Sequence, residues 1–259
     1  MSNLLDLKLI CKSYGAVQVL RGVDLSVDAG DVLAICGDNG AGKSTLIKII
    51  SGAEPATSGQ VFLFGEKVHF TSPADALARG VATIYQDLAL APRLKIYQNV
   101  FMGSELTRPT FIPFIRVLDK KLMLQAAKKY LSRLKVEIND ISTPVSSLSG
   151  GQRQAVAISR ALRWQAKLVI MDEPTAALGV KETAQVLELI RELHDQGVTI
   201  IIISHNMSDV LAVASRVAIL KNGIKIGECL SKKLTSEELS HMIATGNLGN
   251  HNLIMRQSI

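Results

Sequence analysis

The stretch that decides the fold is Val32-Leu33-Ala34-Ile35-Cys36-Gly37-Asp38-Asn39-Gly40-Ala41-Gly42-Lys43-Ser44-Thr45. Five apolar residues of buried-strand length lead into a glycine-rich turn, and a helical pattern follows over residues 43–50. The last nine residues fit the pattern GxxxxGK[ST], in its required place between a strand and a helix. The glycines let successive backbone N–H groups point at one anion, and the helix that follows adds its positive end.

This loop predicts a nucleoside triphosphate site made by residues 37–45. We expect the Lys43 ammonium to reach the β- and γ-phosphates and the Ser44 hydroxyl to ligate Mg²⁺. The alternative is an ordinary glycine-rich turn between a strand and a helix. An ordinary turn would not explain why a Lys-Ser pair follows the glycines at the point where the helix begins.

Strand-sized apolar runs alternate with helical patterns along the rest of the chain. Leu5, Leu7 and Leu9 alternate with polar residues, and further strands are predicted over residues 17–27, 61–64, 81–85, 168–171, 198–203 and 216–220. Helices are predicted over residues 119–135, 149–164, 181–195 and 207–214. This alternation is typical of an α/β fold whose parallel sheet is covered on both faces. We expect a mostly helical insertion within residues 88–165 and a loose tail over residues 246–259.

The predicted helix over residues 119–135 has an apolar stripe. Helical spacing places six residues on the face that we expect to be buried: Leu122, Ala126, Ala127, Tyr130, Leu131 and Leu134.

Composition excludes several classes of protein. The 259 residues are 47% hydrophobic with a net charge of +6, which is unlike a disordered chain. No apolar run reaches the ~18 residues that a transmembrane helix needs, and the N-terminus lacks a signal-peptide pattern. Three distant cysteines favour a reducing compartment over a disulfide framework or a zinc site. The pI of 9.2 leaves nucleic acid, an anionic membrane surface and a phosphate ligand all open.

Polar side chains follow three of the predicted strands. Asp172 and Glu173 come directly after residues 168–171, His205 follows residues 198–203, and Gln86 follows residues 81–85. Ligands collect at the carboxyl ends of strands in α/β sheets, where the glycine-rich loop also lies. We therefore expect Asp172 in the Mg²⁺ shell, Glu173 polarising a water, and His205 and Gln86 near the γ-phosphate. Taken singly, each could instead be an ordinary polar residue at the end of a strand.

The stretch Leu148-Ser149-Gly150-Gly151-Gln152 has its own chemistry. Ser149 with Gln152 three residues later is a capping box. The two glycines are expected to leave the helix end bare for an anion. A plain helix start is the alternative for an isolated SxxQ.

With these motifs in this order, the chain resembles the ATP-binding cassette ATPases, the nucleotide-binding subunits of ABC transporters. The resemblance runs from Leu5 to about Ala244. It implies a P-loop NTPase (RecA-like) core over residues 1–245, with an antiparallel β subdomain and an inserted helical subdomain. It also implies Tyr14 stacking on adenine, although a plain strand-end tyrosine remains open, and Gln86 as a Mg²⁺ ligand.

The resemblance further implies partners. ATP would be sandwiched in a head-to-tail homodimer, between the phosphate loop of one copy and Ser149, Gly150, Gly151 and Gln152 of the other. The helical insertion would contact permease subunits at the cytoplasmic face of the plasma membrane. One departure from the family is Gly179, where the family commonly has Asp.

Residues 173–183 and 80–103 look like the ATPases of monosaccharide importers of the ribose, xylose and fructose type. A single cassette favours the fructose-type members, whose sugar is bound by the permease and a separate binding protein. The competing function is an ABC ATPase that acts on nucleic acid or ribosomes, which the basic charge permits although we expect no nucleic-acid partner. A kinase or a GTPase is less suitable, since neither explains residues 148–152 and the Asn-Lys-x-Asp motif of GTPases does not occur.

Overall fold

The computed structural model describes residues 3–112 and 114–249 of the chain. Its strands are β1 (Asn3–Tyr14), β2 (Val17–Asp28), β3 (Val32–Cys36), β4 (Ser58–Leu63), β5 (Glu66–Val68), β6 (Val81–Ile84), β7 (Thr107–Pro109), β8 (Arg116–Leu118), β9 (Leu168–Asp172), β10 (Thr199–Ile203), β11 (Arg216–Lys221) and β12 (Ile224–Leu230). Its helices are α1 (Lys43–Ile50), α2 (Pro73–Ala78), α3 (Ile96–Phe101), α4 (Lys120–Arg133), α5 (Gly150–Arg163), α6 (Val180–Asp195), α7 (Met207–Val213) and α8 (Ser236–Thr245).

A six-stranded sheet forms the centre, in the order β12-β11-β3-β10-β9-β6. The five strands β11, β3, β10, β9 and β6 run parallel to one another. The edge strand β12 pairs antiparallel with β11. Every residue of β3 and β10 is buried. Burial on both faces explains why these strands are continuous apolar runs with no polar alternation.

The two faces of this sheet pack into two different cores. Ile201 and Ile203 of β10 pack with α1 and with a four-stranded antiparallel sheet of order β2-β1-β4-β5. Ile200 and Ile202, which point the other way because strand side chains alternate, pack with α3 to α8. The expected α/β core with an antiparallel β subdomain is confirmed as a three-layer arrangement.

The expected helical segment holds a feature that the sequence patterns did not predict. α3, α4 and α5 pack on one another. Between α3 and α4, the strands β7 and β8 form an antiparallel hairpin. Phe111 and Phe114 near its tip are fully exposed, at 96% and 104% of their reference areas.

One expected helix face is wrong at a single position. Leu122 of α4 is 48% exposed, and its neighbour Met123 is buried instead. The side chain of Asp119 accepts a hydrogen bond from the Leu122 backbone N–H at 3.0 Å and starts the helix there. The buried stripe is Met123, Ala127, Leu131 and Leu134, and Ala126 and Tyr130 are partly buried beside it.

The last described segment also differs from expectation. α8 and β12 were not predicted as elements, and α8 ends at Gly246, whose φ of 79° suits glycine. The tail was expected to be loose from residue 246, but Leu248 is buried against the core. Residues 250–259 of that expected tail lie outside the described residues.

Candidate functional site

The phosphate loop, residues 37–45, joins β3 to α1 at the carboxyl edge of the central sheet. Gly42 caps α1 with φ of 100° and offers no side-chain acceptor, so the first N–H groups of the helix have no side-chain cap. The Lys43 ammonium donates to the Gly37 carbonyl at 2.7 Å and to the Asp38 carbonyl at 2.9 Å. Carbonyl groups of the loop therefore bind the Lys43 ammonium, while the Ser44 side chain is exposed.

The loop is supported from below by distant parts of the chain. A Cβ atom at Gly42 would lie 2.6 Å from Leu20 Cδ2. The Gly223 N–H, in the turn between β11 and β12, donates to the Ala41 carbonyl at 3.1 Å. The Arg21 N–H donates in turn to the Gly223 carbonyl at 2.8 Å. These contacts leave no room for a side chain at Gly42 and hold the loop against β2 and the β11–β12 turn.

Strand register brings the other site residues to the same edge. Ile84 of β6 is aligned with Met171 of β9, which is aligned with Ile202 of β10. The residues that follow, Gln86, Glu173 and Ser204, therefore emerge side by side. As expected, these strand ends lie at the same edge of the sheet as the phosphate loop. Gln86 is exposed there.

Glu173 and His205 are in direct contact. The His205 Nδ1 atom lies 2.8 Å from Glu173 Oε2, with the histidine side chain 76% exposed and the glutamate 17% exposed. Glu173 has φ of 51°, an uncommon value for a side-chain-bearing residue, and its N–H donates to the Ile203 carbonyl at 2.8 Å. Strained backbone of this kind clusters at functional sites, since surrounding contacts must stabilise it.

The charged groups at this edge influence one another. Burial raises the pKa of the Asp172 carboxyl, the nearby Glu173 charge raises it further, and Lys43 lowers it. Burial also raises the pKa of the Cys36 thiol to about 12, so this thiol stays protonated beside the phosphate loop. A carboxylate held half-buried next to a second carboxylate is a fitting ligand for a hard cation.

Tyr14 lies in a charged cluster that the sequence patterns did not reveal. Its phenol donates to the Glu54 carboxylate, which raises the pKa of Tyr14. The Lys48 ammonium lies 3.0 Å from the same carboxylate, and the Lys12 ammonium lies 4.9 Å from the centre of the Tyr14 ring. Glu54 is forty positions from Tyr14, so no local pattern could have announced the contact.

The signature turn, residues 148–152, begins α5 with the expected capping box. The Gln152 N–H donates to Ser149 Oγ at 3.3 Å, and the Ser149 N–H donates to Gln152 Oε1 at 3.1 Å. The expectation of a bare helix end is wrong, however, because the Gly150 N–H donates to Glu182 Oε1 at 2.7 Å. Ser149 is exposed, whereas Gly150 and Gly151 are buried.

Residues 3–112 and 114–249 contain neither a ready-made metal site nor a membrane-spanning helix. No group of three or more His, Cys, Asp or Glu side chains there could hold a metal ion by itself. Within the same part of the chain, no helix has the length and apolar character needed to span a bilayer.

A phosphate loop on a parallel sheet, with paired acids and a histidine on the same edge, defines a nucleoside triphosphatase. The chain matches the ABC transporter family over residues 20–176. It is similar over 95% of its length to the ADP conformation of an ATP-binding cassette of an ABC transporter, with a TM-score of 0.78 and 28% identity, covering 96% of that chain. A dimeric cassette in a post-hydrolysis state with ADP and Pi matches 88% of the chain and 98% of its own, with a TM-score of 0.71 and 25% identity.

Curated relatives agree with this assignment. A xylose/arabinose import ATP-binding protein of Sulfolobus acidocaldarius is 46% identical over 98% of both chains. A fructose import ATP-binding protein of Rhizobium meliloti is 45% identical over 86% of both. A ribose import ATP-binding protein of Escherichia coli O157:H7 is 40% identical over 93% of this chain, which spans 46% of that relative's length. This chain belongs to the ABC transporter family and is one of its ATP-hydrolysing, ATP-binding cassettes.

Proposed function

We propose that this chain is the ATPase subunit of a monosaccharide importer, and that residues 1–245 form its ATPase domain with a helical subdomain at residues 88–165. The single observation that carries the ATPase chemistry is the meeting of the phosphate loop, Asp172, Glu173 and His205 at one sheet edge. The sugar follows from the relatives, three of which are named for the import of xylose or arabinose, fructose, and ribose. Their shared chemistry is a pentose or hexose, and the particular sugar is set by other subunits.

Binding of ATP rests on the loop and on Tyr14. The phosphates fit the backbone N–H groups of residues 37–42 and the N-terminus of α1, where Thr45 also lies. Lys43, now bonded to two carbonyls of its own loop, supplies the positive charge for the β- and γ-phosphates. Tyr14, 43% exposed, presents a ring for the adenine.

The Mg²⁺ ion would be held by Ser44, Gln86 and Asp172 together with the phosphates of ATP. The donor set suits the ion, because all three side chains offer oxygen and Asp172 sits half-buried beside another carboxylate. When bound, Mg²⁺ neutralises charge on the phosphates. Three protein oxygens are few, which agrees with a metal that arrives with its nucleotide.

Hydrolysis would rest on the contact between Glu173 and His205. Glu173 is placed to accept a proton from a water that attacks the γ-phosphate. His205 holds the Glu173 carboxylate by its ring and is exposed enough to reach the γ-phosphate. The two residues thus orient the water and stabilise the charge that develops on the phosphate.

The transport role requires partners. The exposed Ser149 would contact the γ-phosphate bound to a second copy, which gives an ATP-dependent head-to-tail homodimer. Permease subunits at the cytoplasmic membrane face would dock on the residues after Gln86 and on the exposed Phe111 and Phe114 of the β7–β8 hairpin. A sugar-binding protein would act through those permease subunits.

The first experiment uses Glu173→Gln. This variant should bind ATP, accumulate a dimer on size exclusion, and hydrolyse about 10²–10⁴-fold more slowly than the wild type, because water activation fails. The exposed Glu237→Gln serves as the matched control and should behave as the wild type. A Glu173→Gln protein that stays monomeric with ATP would overturn the sandwich.

The sugar and the partners need a second experiment. The tagged chain is recovered from its native membranes, and its permease and binding protein are identified and tested with xylose, arabinose, ribose and fructose. Binding of a pentose or hexose by the recovered binding protein supports the proposal. Recovery of ribosomes or nucleic acid, with salt-sensitive binding, would favour the competing function.

A further inference from the structure

One carboxylate ties together two helix N-termini near the site. Glu182 Oε1 accepts the Gly150 N–H at 2.7 Å, and Glu182 Oε2 accepts the Gly179 N–H at 3.4 Å. Gly150 is the first residue of α5, and Gly179 immediately precedes α6. The side chain therefore bridges the signature turn and the segment that follows Glu173.

The glycines of the signature turn make this contact possible. A Cβ atom at Gly150 would lie 2.4 Å from Leu178 Cδ2 and 3.2 Å from both Glu182 carboxylate oxygens. A Cβ atom at Gly151 would lie 2.8 Å from Gln185 Oε1. The two glycines thus admit α6 against the start of α5, which explains why they are buried in this chain.

The segment of residues 174–179 is attached to α5 at both ends. The buried Gln154 side chain donates to the Pro174 carbonyl at 2.7 Å, and Glu182 supplies the bond at Gly179. Gly179 has no side chain with which to cap α6 or to hold this segment. The carboxylate three residues later reaches both places at once.

The bridge lies on the buried side of the signature turn, opposite the exposed Ser149. The Gly150 N–H is directed inward to Glu182, while Ser149 remains exposed. An arriving phosphate would therefore meet the Ser149 hydroxyl on a turn whose buried donor is already satisfied. The capping box holds that hydroxyl on the turn, and Glu182 holds the turn against α6.

We propose that Glu182 is a positioning residue for the partner's ATP: its carboxylate anchors the signature turn so that Ser149 is presented in register to the second copy. The inference rests on the proposed head-to-tail dimer. It assigns to Glu182 an effect on the ATP site of the other protomer, and none on binding of ATP to its own phosphate loop.

The first test introduces Glu182→Ala and Glu182→Gln into the Glu173→Gln protein. Affinity for a fluorescent ATP analogue in the monomer should not change, whereas ATP-driven dimerisation should weaken about 10- to 100-fold for Glu182→Ala, as expected for a lost hydrogen bond to a charged group. Glu182→Gln keeps an acceptor and should recover part of the loss. The exposed Glu188→Ala, on the same helix, is the control and should dimerise normally.

The second test uses mixed dimers isolated with two different tags. One dimer joins a wild-type protomer to a Lys43→Ala, Glu182→Ala protomer, so its intact phosphate loop faces the altered signature turn. The other joins a Lys43→Ala protomer to a Glu182→Ala protomer, so its intact loop faces an intact turn. The second dimer should hydrolyse ATP faster than the first.

The outcomes separate this inference from the function that underlies it. Equal hydrolysis by the two mixed dimers, or faster hydrolysis by the first, would overturn the positioning role, as would unchanged dimerisation of Glu182→Ala. If the Glu173→Gln protein itself fails to dimerise with ATP, the proposed sandwich dimer fails and this inference fails with it.

Discussion

The N-termini of α1 and α5 are both glycine-rich, yet they are finished in opposite ways. α1 begins after Gly42 with no side-chain cap, so its first N–H groups await a ligand. α5 is capped by its own chain, through Ser149, Gln152 and Glu182. An uncapped helix end can bind an anion through its first N–H groups, whereas α5 has already used the N–H groups of Gly150 and Gln152 and exposes the Ser149 hydroxyl. We infer that α1 supplies most of the affinity for ATP and that α5 supplies the dependence on a second copy.

The largest expected effect on ATP binding distinguishes the N-terminus of α1 from that of α5. Lys43→Ala should weaken ATP binding by the monomer about 10- to 150-fold, because charge-assisted hydrogen bonds to phosphate are lost. Ser149→Ala should leave that affinity unchanged and weaken only dimer formation. Titration of each monomer with a fluorescent ATP analogue, followed by size exclusion with ATP, makes the comparison. Equal losses of monomer affinity in both variants would contradict the assignment of ATP affinity to α1 and of dimer formation to α5.

A second effect, on the stability of the fold, concerns the glycines themselves. Gly42→Ala should lower the free energy of unfolding by about 1–3 kcal/mol for the steric overlap with Leu20. A further ~1–2 kcal/mol comes from the positive φ at that position. Gly150 does not have a positive φ, so Gly150→Ala should cost only the steric overlap with Leu178 and with the Glu182 carboxylate, without the backbone term. Urea denaturation without nucleotide measures both, and Gly150→Ala proving the more costly would contradict the comparison.

The smallest effect is a pH dependence at the uncapped end. The pKa of Asp172 is raised in the folded protein, so its ionised form destabilises the fold at neutral pH. Asp172→Asn should therefore raise the unfolding temperature at pH 7 without nucleotide. The difference should shrink as pH falls through the raised pKa and vanish below the ordinary value of 3.8. The exposed Asp195→Asn is the control, and a variant that is less stable at pH 7 would contradict the assignment.

Sequence patterns predicted the parts of the molecule whose causes are local. The buried strands β3, β9 and β10 were readable because burial on both faces demands continuous apolar runs. The capping box of α5 was readable because its partners are three residues apart. The phosphate loop was readable for the same reason, since strand, turn and helix are consecutive.

The remaining contacts depend on distant parts of the chain. Glu54 reaches Tyr14, and Glu182 reaches Gly150, across 40 and 32 positions. Glu182 does stand three residues after Gly179, a spacing that fits a helix cap, but nothing local indicates its second partner. The burial of Leu122 was misjudged because Leu122 lies with the partly buried Ala126 and Tyr130 at the edge of the α4 stripe, where apolar spacing alone does not decide burial.

The support beneath the phosphate loop has a consequence for how the protein is made. The Gly223 N–H that holds the Ala41 carbonyl belongs to a turn synthesised about 180 residues after the loop. At about 5–20 residues per second, the ribosome needs roughly 10–35 s to deliver it. Until then the nascent chain contains the whole phosphate loop but not the turn that binds its Ala41 carbonyl. Competence to bind ATP should therefore arise only after the turn at Gly223 has been synthesised and has folded onto the loop.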